Sequence, residues 1–206
     1  QVAAISASGL ATIVGTETLT NKTLTSPKIN ENVAVTSTAT ELNLLDGATV
    51  VIPGKVEGTN FTDSLLIGHA TTGTLSSAED NTGVGIGALN ALTSGDGNTS
   101  VGSEAGGAIN SGIRNTTIGA IAGDAITTSQ QNTAVGYSSL TTNISGDKNT
   151  AIGAFSLNAA TGGFNIGVGK GAGANISSGD GNVIIGSDVN AASATGDRQL
   201  AIAGND

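Results

Sequence analysis

The chain has 206 residues, 32 of them glycine, no Cys, Met or Trp, and only Phe61, Phe155, Phe164 and Tyr137 as aromatics. A core of the ordinary globular kind is excluded by that composition, and collagen by the absence of a three-residue glycine period. Sixteen acidic against seven basic residues give a net charge of −9, and the basic ones are scattered, so a nucleic-acid partner is not expected. Without cysteines, the redox compartment is left open. No apolar run approaches the ~20 residues that cross a bilayer, so no membrane insertion is expected. Gln1 opens no signal-peptide pattern.

Residues 1–60 are rich in Thr and β-branched side chains, and Ala11-Thr-Ile-Val14 and Val33-Ala-Val-Thr36 favour extended structure. Thr38-Ala-Thr-Glu41 has capping-box spacing, runs into Leu42-Asn-Leu-Leu45 and stops at Asp46-Gly47, which predicts a short helix over about 39–45. Two turns do not persist alone, so Leu42 and Leu45 are expected to pack on their own chain or on copies of themselves about a symmetry axis. This region reads as an N-terminal fibre and trimerisation segment.

From residue 61 to 206 a phrase returns every seventeen residues: Asn81-Thr-Gly-Val-Gly85, Asn98-Thr-Ser-Val-Gly102, Asn115-Thr-Thr-Ile-Gly119, Asn132-Thr-Ala-Val-Gly136 and Asn149-Thr-Ala-Ile-Gly153. After one sixteen-residue step it continues through Asn165 and Asn182, with degenerate copies at Ser64-Leu-Leu-Ile-Gly68 and Gln199-Leu-Ala-Ile-Ala203, nine in all. A fixed period of this size marks a solenoid, whose units bury their apolar faces only by stacking. The fold expected is all-β: a parallel β-roll of about nine coils, roughly 40 Å long at the ~4.8 Å strand spacing.

Within each phrase the period of two, combined with the hydrophobicity of the fourth residue, places Ile67, Val84, Val101, Ile118, Val135, Ile152, Val168, Ile185 and Ile202 in the core. The second-position threonines are expected to point inward or toward a neighbouring subunit. Small residues follow seven positions after the asparagine (Ala88, Ala105, Ala122, Ser139, Ser156, Ala172), with apolar ones at eleven (Leu92, Ile109, Ile126, Ile176). Together they describe a thin roll of two walls. Ser138 is expected outside. The fifth-position glycine suits a corner with positive φ or close backbone approach. Gly95-Asp96-Gly97 and Gly179-Asp180-Gly181 suit a second turn. A core this thin implies an obligate oligomer.

The Asn-Thr-Ala-Ile-Gly series resembles the head repeats of trimeric autotransporter adhesins, and related repeats occur in bacteriophage fibres. The resemblance implies a left-handed roll and a homotrimer. Glu17-Thr-Leu-Thr-Asn-Lys-Thr-Leu-Thr-Ser-Pro-Lys-Ile29 and Thr38-Ala-Thr-Glu-Leu-Asn-Leu-Leu-Asp-Gly47 resemble phrases of phage tail-fibre proteins, and no heptad stalk is visible. The expectation is a virion-fibre segment acting as a stiff spacer. It would sit among other virion and tail proteins and touch a host-surface glycan or receptor. The alternative is the head of a bacterial adhesin at the cell surface, and ice binding and glycan depolymerisation are further alternatives.

The asparagine column Asn81, Asn98, Asn115, Asn132, Asn149, Asn165 and Asn182 is expected to form an amide ladder or to cap turns. Gly167-Val-Gly-Lys-Gly171 does not complete a phosphate-loop fingerprint. His69 has no second His or Cys to share a metal, and no cofactor is expected. Asp96, Asp147, Asp180 and Asp197 share one repeat position where a calcium role competes with plain turn chemistry. Glu104, Asp124 and Asp188 are the acids available for catalysis, but acids are sparse, so no enzyme is expected. Small side chains leave little material for an aromatic-lined pocket. Tyr137, Phe155 and Phe164, large at otherwise small positions, are expected to fill the seam between subunits or to project as contact groups.

Overall fold

The computed structural model describes residues 54–58, 60–68 and 72–203, all within the unit spanning Val50–Asp206. The helix expected over 39–45, with Leu42 and Leu45, lies outside the described residues, as does His69. Among the described residues eleven strands form one sheet. They are β1 (Gly54–Gly58), β2 (Phe61–Ile67), β3 (Ala78–Glu79), β4 (Thr82–Val84), β5 (Thr99–Val101), β6 (Thr116–Ile118), β7 (Thr133–Val135), β8 (Thr150–Ile152), β9 (Ile166–Val168), β10 (Val183–Ile185) and β11 (Leu200–Ile202).

The sheet order is β1-β2-β4-β5-β6-β7-β8-β9-β10-β11, with β3 beside β2. From β2 onward every neighbour is parallel and in register, for example Thr133 opposite Thr150 and Val135 opposite Ile152. The nine rungs from β2 to β11 enclose about eight turns of a parallel β-solenoid, and among the described residues there is no helix. Only β1 runs antiparallel, pairing Gly54 with Ile67. It precedes residue 61 yet belongs to the roll's sheet, and it covers the first rung as an ordinary hairpin partner.

The inward row is not the one that hydrophobicity suggested. Ile67, Val84, Val101, Ile118, Val135, Ile152, Val168, Ile185 and Ile202 face outward: Ile118 is 39 % and Ile152 42 % exposed, while Val135 and Val168 are half-buried. Inside, fully buried, stand the third residues Leu66, Ser100, Thr117, Ala134, Ala151 and Ile184, together with every asparagine of the column. The reason is parity. The asparagine amide bonds backbone groups across the corner and so must lie within; alternation over three-residue strands then turns the third residue in and the second and fourth out.

Opposite the strands, the far wall contributes Ala88, Ala105, Ala122, Ser139, Ser156 and Ala172, with Leu92, Ile109, Ile126 and Ile176, all fully buried. The two walls compensate in volume. Leu89 faces Gly83, and Leu157 reaches toward Gly167 and Gly173 of the next coil, where a Cβ on either would meet it at 2.8 Å. By contrast Gly106 and Gly123 face Ser100 and Thr117, which a Cβ on either glycine would meet within 3 Å. The leucines at this position hold φ of 57°, 53° and 47° (Leu89, Leu140, Leu157), as the glycines do at 55° and 58°. Left-handed backbone costs a bulky residue about 1–3 kcal/mol and burying Leu returns about 1.5–3 kcal/mol. Either residue is therefore tolerable, and in the coil of Asn165, where both positions are glycine (Gly167 and Gly173), Leu157 of the preceding coil fills the space.

Ser138 is buried rather than exposed: the longer Glu104 and Phe155 at the same repeat position reach solvent, and the short serine side chain does not. The corner glycine has no substitute where another coil follows. Gly119 and Gly136 lie at φ 129° and 128°, and a Cβ on Gly136 would come 2.5 Å from the carbonyl carbon of Gly153 in the next coil.

Candidate functional site

Two sets of polar side chains tie coil to coil, one continuous along the roll and one interrupted. In the first, each asparagine binds the coil below and the coil above: Asn115 donates from its backbone N–H (3.0 Å) and its Nδ2 (3.1 Å) to Asn98 Oδ1, and its Nδ2 also reaches the Ser129 carbonyl (2.8 Å). Asn149 repeats the arrangement, and Asn132 does so toward Asn115, while its Nδ2 reaches Ser129 Oγ (3.3 Å) in place of a carbonyl. Ser64 begins the ladder, its Oγ accepting from Asn81 N–H, and Gln199 ends it with Nε2 on Asn182 Oδ1. These two degenerate copies preserve the hydrogen bonds although they change the residue. At the sixteen-residue step the Asn165 backbone N–H still donates to Asn149 Oδ1 (2.9 Å), while Asn165 Nδ2 bonds the Gly179 carbonyl. Since unpaired buried amides are costly, this column is fully committed to the fold.

The second ladder is made by the turn aspartates. Asp96, Asp147, Asp180 and Asp197 each use Oδ1 to accept a backbone N–H one coil earlier, from Glu79, Gln130, Gly163 and Asp180 respectively. This is turn chemistry. Among the described residues no group of three or more His, Cys, Asp or Glu side chains could hold a metal ion.

Three surfaces remain. The first is the outward strand face, a flat array of Val84, Val101, Ile118, Val135, Ile152, Val168, Ile185 and Ile202 beside Thr82, Thr99, Thr116, Thr133, Thr150, Ile166, Val183 and Leu200. At the corner following the strands Tyr137 and Phe155 meet edge to face, with ring centroids 5.3 Å apart, on adjacent coils. Phe164 is not with them. It stands at the turn preceding the strand, 58 % exposed, with Lys148 Nζ 5.0 Å from its ring centroid. Sequence reading grouped the three aromatics by size; the coil separates them onto two corners.

The second surface holds the acids. Asp188 pairs with Lys170 at 2.9 Å, both side chains well exposed. Burial raises the Asp124 carboxyl above its ordinary value, with a smaller push from the Glu104 carboxylate, while nearby backbone N–H groups of Asp124 and Ala125 pull it back. Asp124 Oδ1 is buried without a hydrogen-bond partner.

The third surface is a pair of notches at the turn before the strands, where the residue preceding the asparagine is glycine. At Gly97 a cavity of about 230 Å³ is lined by Glu79, Asp80, Asp96, Ile113 and Arg114. At Gly181 a cavity of about 370 Å³ is lined by Phe164, Asp180, Asp197 and Arg198. An aromatic-lined hollow was not expected from the sequence. The signal for it was glycine at a position where other coils carry Arg114, Gln131 and Lys148, combined with Phe164 one coil earlier.

No family model matches the chain. Nor does any curated protein or solved structure match it. The functional reading therefore stands on the roll's own geometry. Among the described residues no helix is long and apolar enough to cross a membrane.

Proposed function

We propose that the chain is a structural segment of a homotrimeric virion fibre, in which the roll is a stiff spacer and three copies cover one another's strand faces. The observation that carries this reading is the outward row of β-branched side chains running without a charged residue from Val84 to Ile202. Contiguous apolar faces of this length mark association surfaces rather than solvent-facing ones. Tyr137 and Phe155, at the corner next to that face, are assigned to the seam. Stiffness follows from the lattice of axial hydrogen bonds, since every coil is tied to the next by the strand and asparagine ladders, and four of the steps also by an aspartate. The phrases at 17–29 and 38–47 support a virion fibre over a bacterial adhesin head. Ice binding would need the threonine array in water, and Ile166, Val183 and Leu200 interrupt it.

Sedimentation equilibrium of the full chain at micromolar concentration is expected to give three chains. Ile152→Asp should reduce that to one, with the β-type circular dichroism retained. A folded single-chain wild type would sink the proposal.

A further inference from the structure

We infer that the notch at Gly181 is a saccharide-binding subsite, with Phe164 as its stacking platform. This deepens the fibre reading and rests on it, because it supplies a host-surface contact for a spacer otherwise built of small side chains. Phe164 and Arg198 occupy the same repeat position two coils apart, and Gly181 between them has no side chain. Two coil spacings amount to about 9.6 Å, enough for one ring in van der Waals contact, at about 4 Å, with each neighbour. A Cβ on Gly181 would have its nearest neighbour, Arg198 Cγ, at 3.6 Å, so the space is open.

The polar groups around the gap are available. Asp180 and Asp197 each engage Oδ1 with backbone N–H and leave Oδ2 without a hydrogen bond among the described residues, and the Arg198 guanidinium makes neither ion pair nor hydrogen bond there. The lining holds two carboxylates and one guanidinium, and Lys148 stands against the Phe164 ring outside it. A site with both signs of charge beside an apolar ring is not built for a simple ion. What it fits is a neutral polyol with one apolar face: hydroxyls donate to the Asp180 and Asp197 oxygens, Arg198 donates to hydroxyl or ring oxygens, and axial C–H groups lie on the phenyl ring. The cavity of about 370 Å³ falls within the ~300–1,000 Å³ usual for ligand clefts.

The Gly97 notch serves as an internal control. It repeats the glycine, Asp96 and Arg114, but Asp80 stands in place of Phe164 and Ile113 in place of Asp197, and it is smaller. The test is saturation-transfer NMR on the full chain with methyl β-galactopyranoside, methyl α-mannopyranoside and methyl β-N-acetylglucosaminide. At least one should bind at millimolar concentration. Gly181→Gln, which fills the notch with a side chain that Gln131 already carries at φ 58° in the equivalent place, should weaken it at least tenfold. Phe164→Asn should do the same, and Gly97→Gln should leave binding unchanged. Absence of transfer to all three glycosides, transfer that survives both Gly181→Gln and Phe164→Asn, or displacement by tetramethylammonium would overturn the subsite. A trimer that binds no glycoside refutes the subsite alone, whereas glycoside binding by a monomer refutes the spacer.

Discussion

Ala151 and Ile152 are consecutive residues of β8 and live on opposite sides of it. The alanine is fully buried and the isoleucine 42 % exposed. The larger hydrophobe is outside because the position inside is already defined by Asn149, whose amide must reach backbone across the corner. In a roll this thin the interior selects for fit, and hydrophobic surplus goes to the face that another chain can cover. The comparison separates two kinds of apolar contact: the inner row holds one coil together, and the outer row is available to hold chains together.

The largest effect that should distinguish the rows is Ala151→Asp. It places an unpaired charge between Ala134 and Gly167 in the buried interior, where the cost is several kcal/mol or more. Thermal unfolding should show loss of the native transition, whereas Ile152→Asp should leave a folded chain and remove only the association. Equal loss of folding from both would erase the distinction between rows.

Asn132→Ala should come next. It leaves the Asn149 backbone N–H, buried, without its 2.9 Å acceptor and cuts the amide chain on both sides. Each unsatisfied buried group costs about 1–3 kcal/mol. Denaturant unfolding should show a drop of that order, against a smaller drop for Asp147→Ala, whose ladder bond to Gln130 N–H is half-exposed and replaceable by water. A larger loss for Asp147→Ala would mean that the outer ladder, and not the buried one, holds the coils.

The smallest effect belongs to Asp124. Its folded-state pKa is raised by burial, so ionisation is disfavoured in the folded chain relative to the unfolded one. Stability from the protonated form is complete below the unfolded value and declines as pH rises through the folded one. Asp124→Asn should therefore raise the melting temperature at pH 7 and lose that advantage near pH 3. A gain independent of pH would assign the effect to the unpartnered Oδ1 contact instead of the charge.

Much of this was legible in the chain itself. The seventeen-residue phrase determined a parallel solenoid, since a repeated short strand can pair only with its own copies. The corner glycines followed from the need for positive φ, and the small far-wall residues from a narrow roll. Ser64 and Gln199 could be counted as copies from spacing alone. Tertiary structure alone decided which side of each strand is inside, because three residues give alternation no length over which to average, and the amide ladder outweighs side-chain hydrophobicity. It also decided that Phe164, Asp180, Asp197 and Arg198 surround one hollow at Gly181. Those residues are up to two repeats apart in sequence, and only the coil's axial rise sets them a ring's width from one another.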